Sequence, residues 1–159
     1  TLFRSCVLWC SLNNRAVKDV MPEVTISDAV IKREHTLRYL GLMFDRSLSG
    51  KDHITRVVAK ARKVLTTVKM LAYAKMPQRV LVILFQTLVI SVVEYGRGLL
   101  TLLDTQLKRL GIIQNEGMRT MLGCTKDTSA EAMRYLLDFP TMRERHRIAQ
   151  VIPKSNADP

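Results

Sequence analysis

From residue 45 onward the apolar residues stop alternating and recur every three or four positions. Ile54, Val57, Val58, Ala61, Val64, Leu65, Val68, Leu71 and Ala72 make one stripe about five turns long. A stripe of that length predicts a helix docked on a core by one face, and an all-β fold has no place for it. Ser49, with Asp52 just after it, offers an acceptor for the unpaired N–H groups of the first turn.

The same period continues downstream. Pro77 opens a second helix at a position where its missing N–H is harmless, and residues 80–93 are apolar nearly all round, so other helices are expected to surround them. A third helix starts at Asp104, runs through Leu107, Leu110, Gln114, Met118 and Met121, and stops at Gly123, which suits a left-handed cap. Gly111 and Gly117 weaken it from within. Thr128 and Glu131 have capping-box spacing ahead of Met133, Leu136 and Leu137, and Pro140 closes that helix and opens another through Arg147.

The N-terminal third reads differently. Val24, Thr25 and Ile26 stand before Ser27-Asp28 and Val30-Ile31 after it, and the run from Leu37 to Leu40 leads into Gly41 through Phe44. β-branched and aromatic residues beside turn formers predict a hairpin and a following strand. The expected fold is therefore α+β, mostly α: a short β hairpin and strand region, then a bundle of about five helices around the one containing Phe85. The expected divisions are a β region over 1–48, a helical bundle over 49–152, and a disordered tail over 153–159.

With 159 residues, 47% of them hydrophobic and 25% charged, the chain can build a core, and whole-chain disorder is excluded. Cys6, Cys10 and Cys124 contain no Cys-x-x-Cys pair and fit a reducing, intracellular setting, nucleus or cytoplasm, although Cys6 and Cys10, with three residues between them, have a spacing that could bind a metal together with Cys124 and a histidine. Leu8 and Trp9 around the first two predict buried free thiols in a β segment. Residues 80–93 fall short of the roughly 20 needed to span a bilayer, which favours a core helix over a membrane segment. Residues 1–10 show no secretory leader, and the missing initiator Met suggests a fragment.

Several chemistries find no residues to carry them. Two-metal phosphoryl chemistry needs clustered carboxylates, yet no two of the 14 acidic residues are adjacent. No nucleophile elbow occurs, and Gly96-Arg97-Gly98 lacks the third glycine of a dinucleotide loop and follows a helix. His35, His53 and His146 are far apart, and His53 is expected to face solvent or bond a neighbouring turn.

Charge placement is more informative. The net charge is +11, and residues 45–75 hold an excess of six cations, over half of it. Arg56, Lys60 and Lys63, spaced four and three apart, lie on one helix face away from the apolar stripe, with Arg62 and Lys69 flanking it. That geometry suits a phosphate backbone, although a merely solvated basic face has the same pattern. Phe3, Trp9, Tyr39, Phe44, Tyr73, Phe85, Tyr95, Tyr135 and Phe139 fall mostly on apolar faces, so backbone contact is expected rather than base stacking.

Residues in a fixed order add a resemblance. Tyr39, Leu40 and Gly41 are followed by Asp45, Leu48, His53-Ile54 and Ala61-Arg62-Lys63. Then come Leu84-Phe85, Leu88-Val89, the run from Ser91 to Gly96, Gln114-Asn115, Arg119, Leu122-Gly123, Glu131-Ala132 and Pro140. This order resembles the stretch after the catalytic palm in non-LTR, LINE-type (jockey-like) retrotransposon reverse transcriptases, over residues 23–147. The resemblance implies a primer grip at Tyr39, Leu40 and Gly41, followed by a thumb and connection that hold an RNA–DNA or RNA template–primer duplex. It also implies partnership with an upstream palm and fingers of the same polypeptide, with the catalytic aspartates and their Mg²⁺ before Thr1. On that reading this chain has no catalytic residue, metal or cofactor of its own, meets no membrane, and is not active by itself.

Three departures fit a decayed or partial copy. Arg97-Gly98-Leu99-Leu100 stands where the family usually has a Trp, Ile90 occupies a position that is often basic or polar, and Gly117-Met118 replace a more helix-favouring pair. The alternative reading is a degenerate or domesticated helical module that binds a protein partner through Met-rich and Leu-rich faces. A stand-alone enzyme is the weakest of the three.

Overall fold

The computed structural model describes residues 6–8, 10, 24–26 and 29–155. The chain forms two compact units, divided between His53 and Ile54. The chain is mostly helical with a small N-terminal β region, as the change of period predicts.

In the first unit three two-stranded pairings occur. β1 (Cys6–Val7) lies parallel to β4 (Lys32–Arg33). β2 (Thr25–Ile26) and β3 (Ala29–Val30) pair antiparallel in the expected hairpin, with Thr25 opposite Val30; residues 27 and 28 lie outside the described residues. β5 (Thr36–Tyr39) and β6 (Leu42–Asp45) form a second hairpin, where a single further strand was expected. Leu40 and Gly41 make its two-residue turn with φ of 46° and 84°. Positive φ at both central residues gives a twist that matches the flanking strands, and Gly41 adopts it without a Cβ penalty. The thiols expected to be buried are not: Cys6 is half-buried and Cys10 exposed, both free, because the two-residue β1 has one short partner and no covering layer among the described residues.

Asp45 organises the connection that follows. Its carboxylate accepts hydrogen bonds from the Ser47 and Ser49 hydroxyls (2.7 and 2.6 Å) and from the Gly50 N–H (3.3 Å). Partial burial works to raise its pKa, but those bonds outweigh it and hold the carboxyl below its usual range. Ser49 in turn accepts from the Lys51 N–H at 3.3 Å, so the expected cap residue does start α1 (Lys51–Tyr73). His53 is buried, and its Nδ1 accepts from the Met43 N–H at 3.4 Å, which is the bonded alternative of the sequence reading.

In the second unit the stripe of α1 behaves as its period requires. Ile54, Val57, Val58, Ala61, Leu65 and Val68 are buried, and Val64, Leu71 and Ala72 half-buried. α2 (Gln78–Leu84) follows Pro77 and passes into a π-helical turn (Phe85–Ile90) before α3 (Ser91–Glu94). The hydroxyls of Thr87 and Ser91 donate back to the carbonyls of Ile83 and Thr87, at 2.9 and 2.5 Å, competing with the regular ladder where it widens.

This segment is not enclosed all round. Leu81, Phe85, Val89, Ile90 and Val93 are buried, whereas Val80, Ile83 and Leu88 are exposed beside Gln86, Thr87 and Ser91. The polar residues share the outward face, so the segment buries one side only. By length and composition alone Gln78–Leu99 is apolar enough to cross a membrane. Its helix nonetheless breaks at Tyr95 and Gly96 and is followed by a buried arginine in the 3₁₀ turn Arg97–Leu99.

α4 (Asp104–Leu122) has the expected limits, with Gly123 closing it at φ 65°. It packs against α2, α5 (Ala130–Leu137) and α6 (Met142–Ser155), so the hub of the helices is α4 rather than the Phe85 helix. Phe85 reaches that hub through Gly117: a Cβ there would stand 2.1 Å from the phenyl ring. On another side the Phe85 ring stacks on Phe139 at 6.0 Å between centroids.

The last helices correct two cap assignments. α5 is capped by Ser129, which accepts from the Glu131 N–H at 3.3 Å, and not by Thr128, because Glu131 is the second helical residue and too near for the box. The box lies one helix later: Thr141 Oγ1 accepts from the Glu144 N–H at 3.2 Å, and the Glu144 carboxylate accepts from the Thr141 N–H at 2.7 Å. α5 ends at Asp138 in a left-handed conformation (φ 52°) before Pro140 is reached. α6 remains helical to Ser155, so residues 153–155 are not the disordered start of a tail; 156–159 lie outside the described residues.

Candidate nucleic-acid interface

Tyr39, Leu40 and Gly41 form the tip of the β5–β6 hairpin in the first unit. Tyr39 is 60% and Leu40 72% exposed, so the triplet is a projecting turn and not a packed strand end. Leu40 at positive φ is unusual for a residue with a branched side chain, and β-hairpin pairing on both sides holds it there.

The cations belong to the second unit. Arg56, Lys60, Arg62 and Lys63 are exposed on α1, opposite its buried stripe. Lys60, Arg62 and Lys63 make no ion pair among the described residues. Lys69 departs from the expectation: it is half-buried and forms an ion pair with Glu116 of α4. The charge of Lys69 is thus partly offset by a carboxylate, although a half-exposed pair of this kind is weak.

α1 and α4 also flank an open groove of about 820 Å³, whose walls include Ala72 and Tyr73 on one side and Ile112 and Arg119 on the other. Tyr73 is 87% exposed. The other three tyrosines, Tyr39, Tyr95 and Tyr135, are exposed as well. The sequence-based exclusion of base stacking placed these rings on apolar faces, and for the tyrosines that placement is wrong: all four end or edge their elements rather than fill the stripe.

A buried polar cluster escaped the sequence reading altogether. Glu94, at the end of α3, pairs with Arg145 of α6 at 2.7 Å and with Arg97 at 3.7 Å. Arg97 is 2% exposed, its Nη1 lies 3.5 Å from the Met142 sulfur, and burial lowers its pKa against the pull of Glu94, with Arg145 lowering it further. The Arg145 guanidinium sits 5.9 Å from the Phe139 ring centroid. His146 is buried too, and burial first, then Arg97, depresses its pKa.

Gly98 lets the 3₁₀ turn approach α6 closely, since a Cβ there would meet the Ala149 carbonyl oxygen at 2.7 Å. The Arg97-Gly98 pair that departs from the family pattern is thus the seat of α6. Its only signal in the sequence is that departure.

Among the described residues no group of three or more His, Cys, Asp or Glu side chains stands close enough to hold a metal ion. No family model, curated protein or solved structure matches the chain. That outcome overturns reverse transcriptase, LINE, retrotransposon and thumb domain as labels for it, because nothing that carries those terms matches. What stands is a mostly helical chain with a small β region and a one-sided basic helix.

Proposed function

We propose that the chain holds an RNA–DNA template–primer duplex by its phosphate backbone. The observation that carries this reading is α1: one face buried, the other presenting Arg56, Lys60 and Lys63 at the spacing of successive turns. Each phosphate neutralised by such a cation releases condensed counterions, which gives affinity without reading sequence. The exposed hairpin tip at Tyr39, Leu40 and Gly41 supports it as a second projecting contact, and the net charge of +11 favours association with a polyanion.

Titration of a labelled RNA–DNA hybrid across a salt series tests the proposal. Affinity that falls steeply from about 50 to 200 mM salt is the expected result. A flat salt response, or no binding at the lowest salt, sinks it.

A further inference from the structure

The groove between α1 and α4 combines features that a solvated surface does not need. Its floor is apolar, from Ala72 and Ile112, and the almost bare ring of Tyr73 stands at its α1 side. Its one carboxylate, Glu116, is tied to Lys69, which leaves Arg119 and Lys126 as the uncompensated charges of the lining. The Nε of Arg119 is shielded from solvent and has no hydrogen-bond partner. Arg62, Thr66, Lys69 and Tyr73 follow one another four, three and four positions apart, so they form a single row along α1 that enters the groove at Lys69 and Tyr73. That row leads from the exposed Arg62 to the Tyr73 ring.

We infer that this groove binds a single-stranded segment of nucleic acid, with a base stacked on Tyr73 against the apolar floor and the adjoining phosphates held by Arg119 and Lys126. The inference deepens the proposed function and rests on it, adding an unpaired strand beside the duplex held by the neighbouring Arg56, Lys60 and Lys63 row of α1. Charge complementarity selects an anionic occupant. The exposed flat ring next to an apolar floor selects one with planar apolar faces at the spacing of its charges. Stacking of this kind tolerates any base, so the site follows a strand without reading it.

Fluorescence anisotropy of the full chain with a short fluorescein-labelled oligothymidylate and, separately, with an RNA–DNA duplex tests the assignment. Tyr73 is exposed, so its replacement leaves the fold intact. Tyr73→Ala is expected to weaken oligothymidylate binding about tenfold, Tyr73→Phe to retain it, and both to leave duplex affinity unchanged. Lys126→Glu is expected to weaken the single strand alone. Equal oligothymidylate affinity for Tyr73→Ala and the unaltered chain overturns the groove assignment and leaves the α1 reading standing if the duplex still binds. Displacement of the oligonucleotide by polyglutamate, with Tyr73→Ala weakening both ligands alike, overturns it in favour of an acidic protein partner. A chain that binds neither nucleic acid overturns this inference and the proposed function together.

Discussion

Gly111 and Gly117 lie in one helix, two turns of the same sequence pattern, yet their surroundings differ. A Cβ at Gly117 would sit 2.1 Å from the ring of Phe85, a fully buried side chain with no room to withdraw. Gly117→Ala should therefore destabilise the fold by about 1–3 kcal/mol, the cost of overpacking a filled core. At Gly111 a Cβ meets nothing within 4 Å, and Gly111→Ala should stabilise by about 0.5–1 kcal/mol through the backbone entropy of the unfolded chain. Urea denaturation midpoints of the two variants, moving in opposite directions, check the pair. In the sequence both glycines read alike, as weak points of a helix, because what separates them is a side chain some thirty positions away in the chain. The same limit explains Thr128 and Ser129, where one position decides which hydroxyl meets the first free N–H.

Among elements, period was the legible property and environment was not. The limits of α1 and α4, the Gly123 cap and the β2–β3 hairpin follow from spacing and turn chemistry held within a few residues. Which apolar side chains of the α2–α3 segment remain outside follows from packing partners, and no local pattern marks Val80, Ile83 and Leu88 for exposure. The site divides the same way: the exposure of Arg56, Lys60 and Lys63 is written in their phase against the stripe, whereas the diversion of Lys69 depends on Glu116 in another helix.

The docking of α6 adds a pH dependence. His146 faces Arg97 from the 3₁₀ turn, with Glu94 of α3 and Arg145 of α6 completing the charged cluster. With its pKa depressed by burial and by Arg97, the folded chain binds fewer protons at this residue than the unfolded chain does. Its contribution is complete above the unfolded value, near 6.5, and is lost as pH falls through that value toward the lowered one. Unfolding free energy should thus decline between about pH 7 and pH 5, and His146→Leu should flatten that decline. Asp45 works in the other part of the range. Its depressed carboxyl loses its stabilising effect only as the pH falls below about 4, so the two groups separate in a titration of urea midpoints.

In the molecule as a whole, charge is joined to shape. An excess of six cations over residues 45–75 means little by itself, but α1 buries one face and leaves Arg56, Lys60, Arg62 and Lys63 exposed away from it. The partial copy inferred from ordered motifs has no matching relative to support its labels, and the functional reading rests on this one-sided helix. The most direct test is the slope of log affinity against log salt for an RNA–DNA duplex, measured for the unaltered chain and for a variant with Arg56, Lys60 and Lys63 all replaced by Gln. Three lost phosphate contacts should reduce the magnitude of the slope by about 2.7, at roughly 0.9 per contact for a duplex. An unchanged slope would show that the duplex, if bound at all, is held elsewhere, and would contradict the account.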